Sequence, residues 1–168
     1  SPFPDYTFGV TNNLSYKSFG MSMLITGTMG QEIANLVRYR MDGLRALGNW
    51  NMSQEAYDNR WTGPGSSNRY AAPSVRGNPF GGRMTNYIVE DGSFIRLRSL
   101  TFTYEFPLER MGIRKIQQVK LFATGTNLIT ITDYKGYDPE VSTSGSTAPG
   151  VDSYTAPPGR TFTGGVTI

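Results

Sequence analysis

The 168-residue chain carries a net charge of only +3; its 17% charged residues fall short of the roughly 25% usual in globular domains, and glycine is abundant at 20 residues. It contains neither cysteine nor histidine, which excludes a disulfide framework, a thiolate site and the commonest general base and metal ligand. The basic residues are scattered, with Arg38, Arg40 and Arg45 the nearest to a cluster and Asp42 among them, so nothing marks a nucleic-acid-binding face.

Tyr6, Phe8, Val10, Leu14 and Tyr16 recur at even spacing, with Thr7, Gly9, Thr11, Asn13 and Ser15 between them. That period of two predicts a strand over 6–16 with one apolar face, interrupted at Asn12. Lys17 and Ser18 form a tight turn. Phe19, Met21, Met23 and Ile25 then alternate with Gly20, Ser22, Leu24 and Thr26, a second strand over 19–28. Each strand is about as long as a tilted strand must be to cross a bilayer. The pattern then changes. Ile33, Leu36, Val37, Met41, Leu44 and Leu47 follow helical spacing and predict a helix over 31–47, with Gly48 as its stop. Ser53 caps a second short helix through Trp61, with Glu55 in its first turn. From 62 to 85 the chain is rich in Gly, Pro, Ser, Asn and Arg and reads as loop.

A third strand occupies 93–106, with Leu100, Phe102, Tyr104 and Phe106 on one face and Thr101, Thr103 and Glu105 on the other. Ile95 and Leu97 fall on the opposite parity from Leu100; a bulge near Ser99, or an upper segment packing inward on loops, accounts for the switch. Pro107 ends the strand because it cannot donate to a ladder. After a connection over 108–117, a fourth strand covers 118–126, with Val119, Leu121, Ala123 and Gly125 set against Lys120, Phe122, Thr124 and Thr126. The fifth, 160–168, sets Phe162, Val166 and Ile168 against Thr161, Thr163 and Thr167. In an antiparallel meander the long segments 29–90 and 127–159 share one end and the shorter connections the other. Outer-membrane barrels have this arrangement, with short periplasmic turns and longer extracellular loops. Leu100, Phe102, Tyr104 and Phe162 are then expected to face lipid, and Thr101, Thr103 and Thr163 the lumen. No apolar stretch is long enough for a transmembrane helix and Ser1 opens without a signal-peptide pattern, but barrel strands, which alternate, evade the first test.

Four segments resemble the SusC/RagA family of TonB-dependent outer-membrane transporters: Glu90-Asp91-Gly92-Ser93-Phe94-Ile95-Arg96-Leu97, Tyr104-Glu105-Phe106-Pro107, Asn127-Leu128 followed by Tyr134-Lys135-Gly136-Tyr137-Asp138-Pro139-Glu140, and the closing Pro157-Pro158-Gly159-Arg160-Thr161-Phe162. The likeness is densest from Tyr87 to Ile168. It implies an all-β chain: about five C-terminal strands of a twenty-two-stranded antiparallel transmembrane β-barrel, with a long, partly helical extracellular loop. It also implies a place in the Gram-negative outer membrane and import of glycans or oligopeptides. The implied partners are a SusD-like lipoprotein, membrane lipid, and TonB reached through an N-terminal part that, like the plug domain and TonB box, this chain does not contain. The family leads us to expect a terminal aromatic shortly after Ile168, so the chain reads as a C-terminal piece. The alternative from the residues alone is a secreted or surface β-rich glycan-binding module.

No cofactor, metal or catalytic residue is expected. Glu90 and Asp91, adjacent on a strand, point to opposite faces and make a poor acid/base pair. Asp91-Gly92 and Asp138-Pro139 read as turn formers, and Asp133, Asp138 and Glu140 fit no standard Ca²⁺ loop. The candidate cargo- or partner-contacting residues are the aromatics of the long segments: Trp50, Tyr57, Trp61, Tyr70, Tyr134, Tyr137 and Tyr154. Their rings can stack on sugar faces or peptide side chains, or else pack the loops together.

Overall fold

The computed structural model describes residues 1–42, 51–72, 86–109, 111–113, 116–140 and 149–168. It divides into two compact units.

The first unit to consider, Pro4–Gly30 with Ser93–Asp133 and Pro158–Ile168, is a single five-stranded antiparallel sheet. Its strands are β1 (Tyr6–Tyr16), β2 (Phe19–Met29), β5 (Phe94–Glu105), β6 (Lys120–Thr132) and β8 (Thr161–Thr167), paired in that order. Strand register lines the side chains into rows. Leu14, Met21, Phe102, Ala123 and Gly164 form one; Tyr16, Phe19, Tyr104, Leu121 and Val166 the next; Val10, Ile25, Leu97 and Ile129 another. Directly paired residues point to the same side of a sheet, so one face is apolar across all five strands apart from Asn12, opposite Met23 on the edge strand β1. The other carries Asn13, Ser22, Thr101, Thr124 and Thr163 in a single row, with the Thr101 and Thr124 hydroxyls 2.9 Å apart. Phe102 is 52% exposed and Phe162 77% exposed. Among the described residues, nothing covers Phe102 or Phe162 on the apolar face.

The parity switch in β5 is a bulge. Register passes from Leu97 to Ser99 against both neighbours, which leaves Arg98 as the extra residue, while β6 accommodates Asn127 and Leu128 at the same point. Asn127 adopts a left-handed φ of 52° there, a conformation asparagine tolerates better than most residues. The bulge returns Ile95 and Leu97 to the apolar face alongside Leu100, which removes the inward-packing alternative. β6 also runs on to Thr132, past the expected end at 126. Its alternation resumes with Ile129 and Ile131 after the Asn127-Leu128 interruption, opposite Leu97 and Ile95. Around the short-turn end, Phe19 lies 4.7 Å from Tyr104 and Phe106 5.0 Å from Tyr104, centroid to centroid, and Lys17 takes the left-handed φ (54°) that lets the two-residue turn close.

The other unit comprises Ser1–Phe3, Gln31–Gly92 and Tyr134–Pro157. Its centre is a small three-stranded sheet: β3 (Glu32–Asn35) pairs antiparallel with β4 (Val89–Asp91) and parallel with β7 (Val151–Asp152). The helix expected over 31–47 is therefore shorter: Glu32–Asn35 is strand, and α1 spans only Leu36–Met41, with 43–47 outside the described residues. The physical reason is Asn35. Its side chain accepts from the Arg38 backbone N–H at 3.0 Å, capping α1 where it begins, while backbone groups just before it are taken up by β4 and β7. The second helix, α2, spans Gln54–Asp58 rather than reaching Trp61, with Ser53 capping it through the Ala56 N–H (3.2 Å) as expected. The Asn59 side chain donates to the Glu55 carbonyl at 2.9 Å and closes it.

Candidate functional site

In the loop-derived unit, a polar network joins residues outside the sequence motifs to Glu90 and the Tyr134–Glu140 motif. Arg38, on α1, is the hub. Its Nε donates to Oδ2 of Asp42 (2.9 Å), its Nη1 to Oε1 of Glu90 (2.8 Å), and its Nη2 to the hydroxyls of Tyr87 (3.0 Å) and Tyr70 (3.4 Å). The guanidinium also stacks 4.8 Å from the Tyr87 ring centroid. Asp42 is saturated as well, accepting from the Tyr87 hydroxyl (2.7 Å) and from Ser53 Oγ (2.7 Å). Burial alone would lower the Arg38 pKa, but the hydrogen bonds to Glu90, Tyr70 and Asp42 outweigh it and raise it above the ordinary arginine value. Arginine suits the position because its planar fork serves several acceptors at once.

Glu90 lies on a strand, β4, as expected, and serves as a structural tie. Its second oxygen accepts from the backbone N–H of Lys135 (3.0 Å). One carboxylate thus ties α1 to the Tyr134–Glu140 motif. Within that motif Tyr134 donates to Oδ2 of the fully buried Asp152 (2.6 Å), and its ring lies over Gly136, where a Cβ would collide with it. Asp138 does behave as a turn former, accepting from the Glu140 N–H at 2.8 Å. Gly92 is needed for close approach too: a Cβ there would sit against Ile33, while Gln31 brackets the glycine through Gly92 N–H to Gln31 O (2.9 Å) and Gln31 Nε2 to Gly92 O (2.6 Å). Among the described residues, no group of three or more acidic side chains is placed to hold a metal ion.

The predicted aromatics separate into two sets. Tyr70 (3% exposed) and Tyr134 (6% exposed) are interior residues that complete the polar network. Tyr57, Trp61, Tyr137 and Tyr154 are exposed; Arg60 stacks on Tyr57 and Arg40 on Tyr154. Trp50 lies outside the described residues. Tyr137, 73% exposed, borders a cavity of about 310 Å³ whose lining also includes Val37, Met41, Asp42, Glu55 and Lys135. With one aromatic face, two aliphatic side chains and charges of both signs, this cavity can hold a small amphipathic group. Sequence reasoning missed Arg38 and Glu90; the i,i+4 pairing of Arg38 with Asp42 was the one local signal.

Two outcomes follow from this geometry. Gly136→Ala is expected to cost about 1–3 kcal/mol by overpacking against Tyr134. Gly159→Ala, where a Cβ meets nothing within 4 Å, should be neutral, and limited proteolysis of the two variants makes the comparison. Burial, reinforced by hydrogen bonds with Tyr70 and Asp42, pushes the Tyr87 phenol well above its ordinary pKa of 10.0. Burial and the Asp152 hydrogen bond do the same to Tyr134. The folded state holds these two protons more tightly than the unfolded chain, so their contribution is complete below about pH 10 and is lost as the pH rises above it. Phenolate absorbance of the folded protein should show a late step above the ordinary phenol range that diminishes in Tyr87→Phe and in Tyr134→Phe; its absence would contradict the burial.

No protein-family model matches the chain. It is 34% identical over 173 residues to TonB-dependent receptor P3 of Formosa agariphila, spanning 99% of this chain and 16% of that protein. To TonB-dependent receptor P26 of the same organism it is 35% identical over 176 residues, spanning all of this chain and 17% of that protein. TonB-dependent receptor SusC of Bacteroides thetaiotaomicron matches at 27% over 177 residues, 99% of this chain and 15% of that protein. The chain belongs to the SusC/RagA family of TonB-dependent receptors. It spans about a sixth of the length of the curated relatives it matches. At the level of fold, it superposes on the RagAB peptide importer in the open-open state with a TM-score of 0.78 over 97% of this chain and 17% of that one, at 24% identity. The closed-closed state gives 0.79 over 99% of this chain and 17% of that one. As a TonB-dependent receptor segment it is part of an outer-membrane β-barrel protein, and its five-stranded sheet is a piece of barrel wall.

Proposed function

We propose that this chain is the C-terminal portion of a twenty-two-stranded, plugged importer that takes up glycans or oligopeptides with a SusD-like lipoprotein over its mouth and energy from TonB. The observation that carries the reading is the sheet's two-sidedness. It is apolar but for Asn12 on one face and threonine-rich on the other, and both long connections leave the same end. A soluble glycan-binding module would cover that apolar face. In the proposed topology the segments 29–90 and 127–159 are extracellular, and the exposed Tyr57, Trp61, Tyr137 and Tyr154 are the rings available to cargo or lid. Tyr70 and Tyr134 serve by fixing the loops that present them. The chain's part in this is transport without chemistry on the cargo, in keeping with relatives that are receptors and transporters rather than enzymes.

Deletion of the full gene, and separately of TonB, is expected to abolish growth and uptake on one class of oligosaccharide or oligopeptide. Uptake of every such substrate surviving the gene deletion, in a strain without a paralogue, would overturn the proposal.

A further inference from the structure

The outward face of the barrel sheet is not uniformly filled. A recess of about 400 Å³ opens on it, bounded by Leu100 and Phe102 of β5 on one side and Phe162 of β8 on the other. Register explains the recess. In the row Leu100–Gly125–Phe162 and the row Phe102–Ala123–Gly164, the positions on β6 between the large side chains are Gly125 and Ala123, and Gly164 extends the floor onto β8. The neighbouring row, Tyr104–Leu121–Val166, has no small residue and closes the lower end. At the upper end Leu128, set free by the bulge, folds down over Gly125, where an added Cβ would stand 2.8 Å from Leu128 Cδ2. The walls stand two strand spacings apart, roughly 9–10 Å between backbones, which leaves one chain's width between side chains.

A void on a face turned to hydrocarbon must be filled by something. Lipid tails are as apolar as leucine, so no hydrophobic force favours one apolar occupant; shape and dispersion decide. The recess has room for on the order of a dozen methylene-sized groups if each takes about the 30 Å³ of a water. It is continuous with the bilayer-facing surface, so its occupant comes from the bilayer. Depth selects the leaflet. Leu100 lies four residues along β5 from the Tyr104 aromatic cluster, roughly 14 Å at about 3.4 Å per residue. The clustered rings mark the edge of an apolar band about 25 Å tall, so the recess spans the half nearest the short turns. We infer that this recess binds one acyl chain of a phospholipid in the periplasmic leaflet, held between Phe102 and Phe162. The choice of leaflet rests on the topology proposed above, in which the short turns are periplasmic.

The test uses the full-length receptor purified from outer membranes, with native mass spectrometry counting the lipids it retains after mild delipidation. Gly164→Leu and Ala123→Leu each fill the recess without changing the character of the face. A Cβ at Gly164 meets only the Phe122 carbonyl oxygen, at 3.6 Å, and heat-modifiable gel mobility reports that each variant folds. Val10→Leu, on the same face outside the recess, is the control. The expected result is one phospholipid fewer per chain in both filling variants and none lost in the control. Equal retention in all variants overturns the inference. So does loss of a lipopolysaccharide instead, which would put the site in the other leaflet, or a change of oligomeric mass with lipid unchanged, which would make the occupant a second copy. Uptake by the wild-type protein is read separately, so failure of the import reading and failure of the lipid site remain distinguishable.

Discussion

Replacing Arg38 with methionine, which keeps much of its bulk, is expected to destabilise the loop-derived unit by about 3–5 kcal/mol, because it leaves the carboxylates of Asp42 and Glu90 buried without their cation. Those side chains are only 5% and 9% exposed. Arg38→Lys should fall between, since an ammonium keeps the charge but cannot reach four acceptors in one plane. Arg38→Met combined with Glu90→Gln should be less unstable than the sum of the single changes, because the double variant removes one of the orphaned charges. Limited proteolysis of intact receptor reads this, with cleavage accelerating within 29–92 and 134–157 while the barrel's resistance to heat and detergent stays unchanged. Wild-type protection in Arg38→Met would show that the network is surface decoration.

The second large effect lies in the wall. Leu100→Arg places a charge on the apolar face near mid-strand and is expected to cost about 2–4 kcal/mol of barrel stability. Thr101→Arg, one residue on, points to the opposite face and gives up only its 2.9 Å hydroxyl contact with Thr124, a loss of about 1 kcal/mol. Folded fractions from heat-modifiable gel mobility in urea should separate the two variants clearly. Equal effects would mean that both faces meet the same solvent.

The wall was legible in the sequence because a half-exposed strand writes its face into every second residue. Tyr6 to Tyr16, Phe19 to Ile25 and Leu100 to Phe106 could be assigned without knowing their partners. The bulge was half legible: the parity break between Leu97 and Leu100 was plain, but only pairing with β2 and β6 decides between a bulge and an inward-turned segment. The same bulge hid the end of β6, since Asn127-Leu128 interrupts an alternation that resumes at Ile129. Ile33, Leu36, Val37 and Met41 fit a helical period, yet Ile33 belongs to a strand, because its partner Glu90 lies far along the chain. The Arg38–Glu90 pair, 52 residues apart, leaves no local trace. Nor can an aromatic side chain alone announce whether it is interior, like Tyr70 and Tyr134, or presented, like Tyr137.

The most direct test of the barrel-wall account is a spin-label scan at single cysteines placed in turn at Leu100, Thr101, Phe102, Thr103 and Tyr104, in a stretch of 168 residues that has no cysteine of its own. The intact receptor in bilayers should give collision rates with period two. Labels at 100, 102 and 104 should favour lipid-soluble oxygen, and labels at 101 and 103 a water-soluble nickel chelate or neighbouring protein. Loss of the alternation, or free access of the water-soluble reagent to position 102, would contradict it.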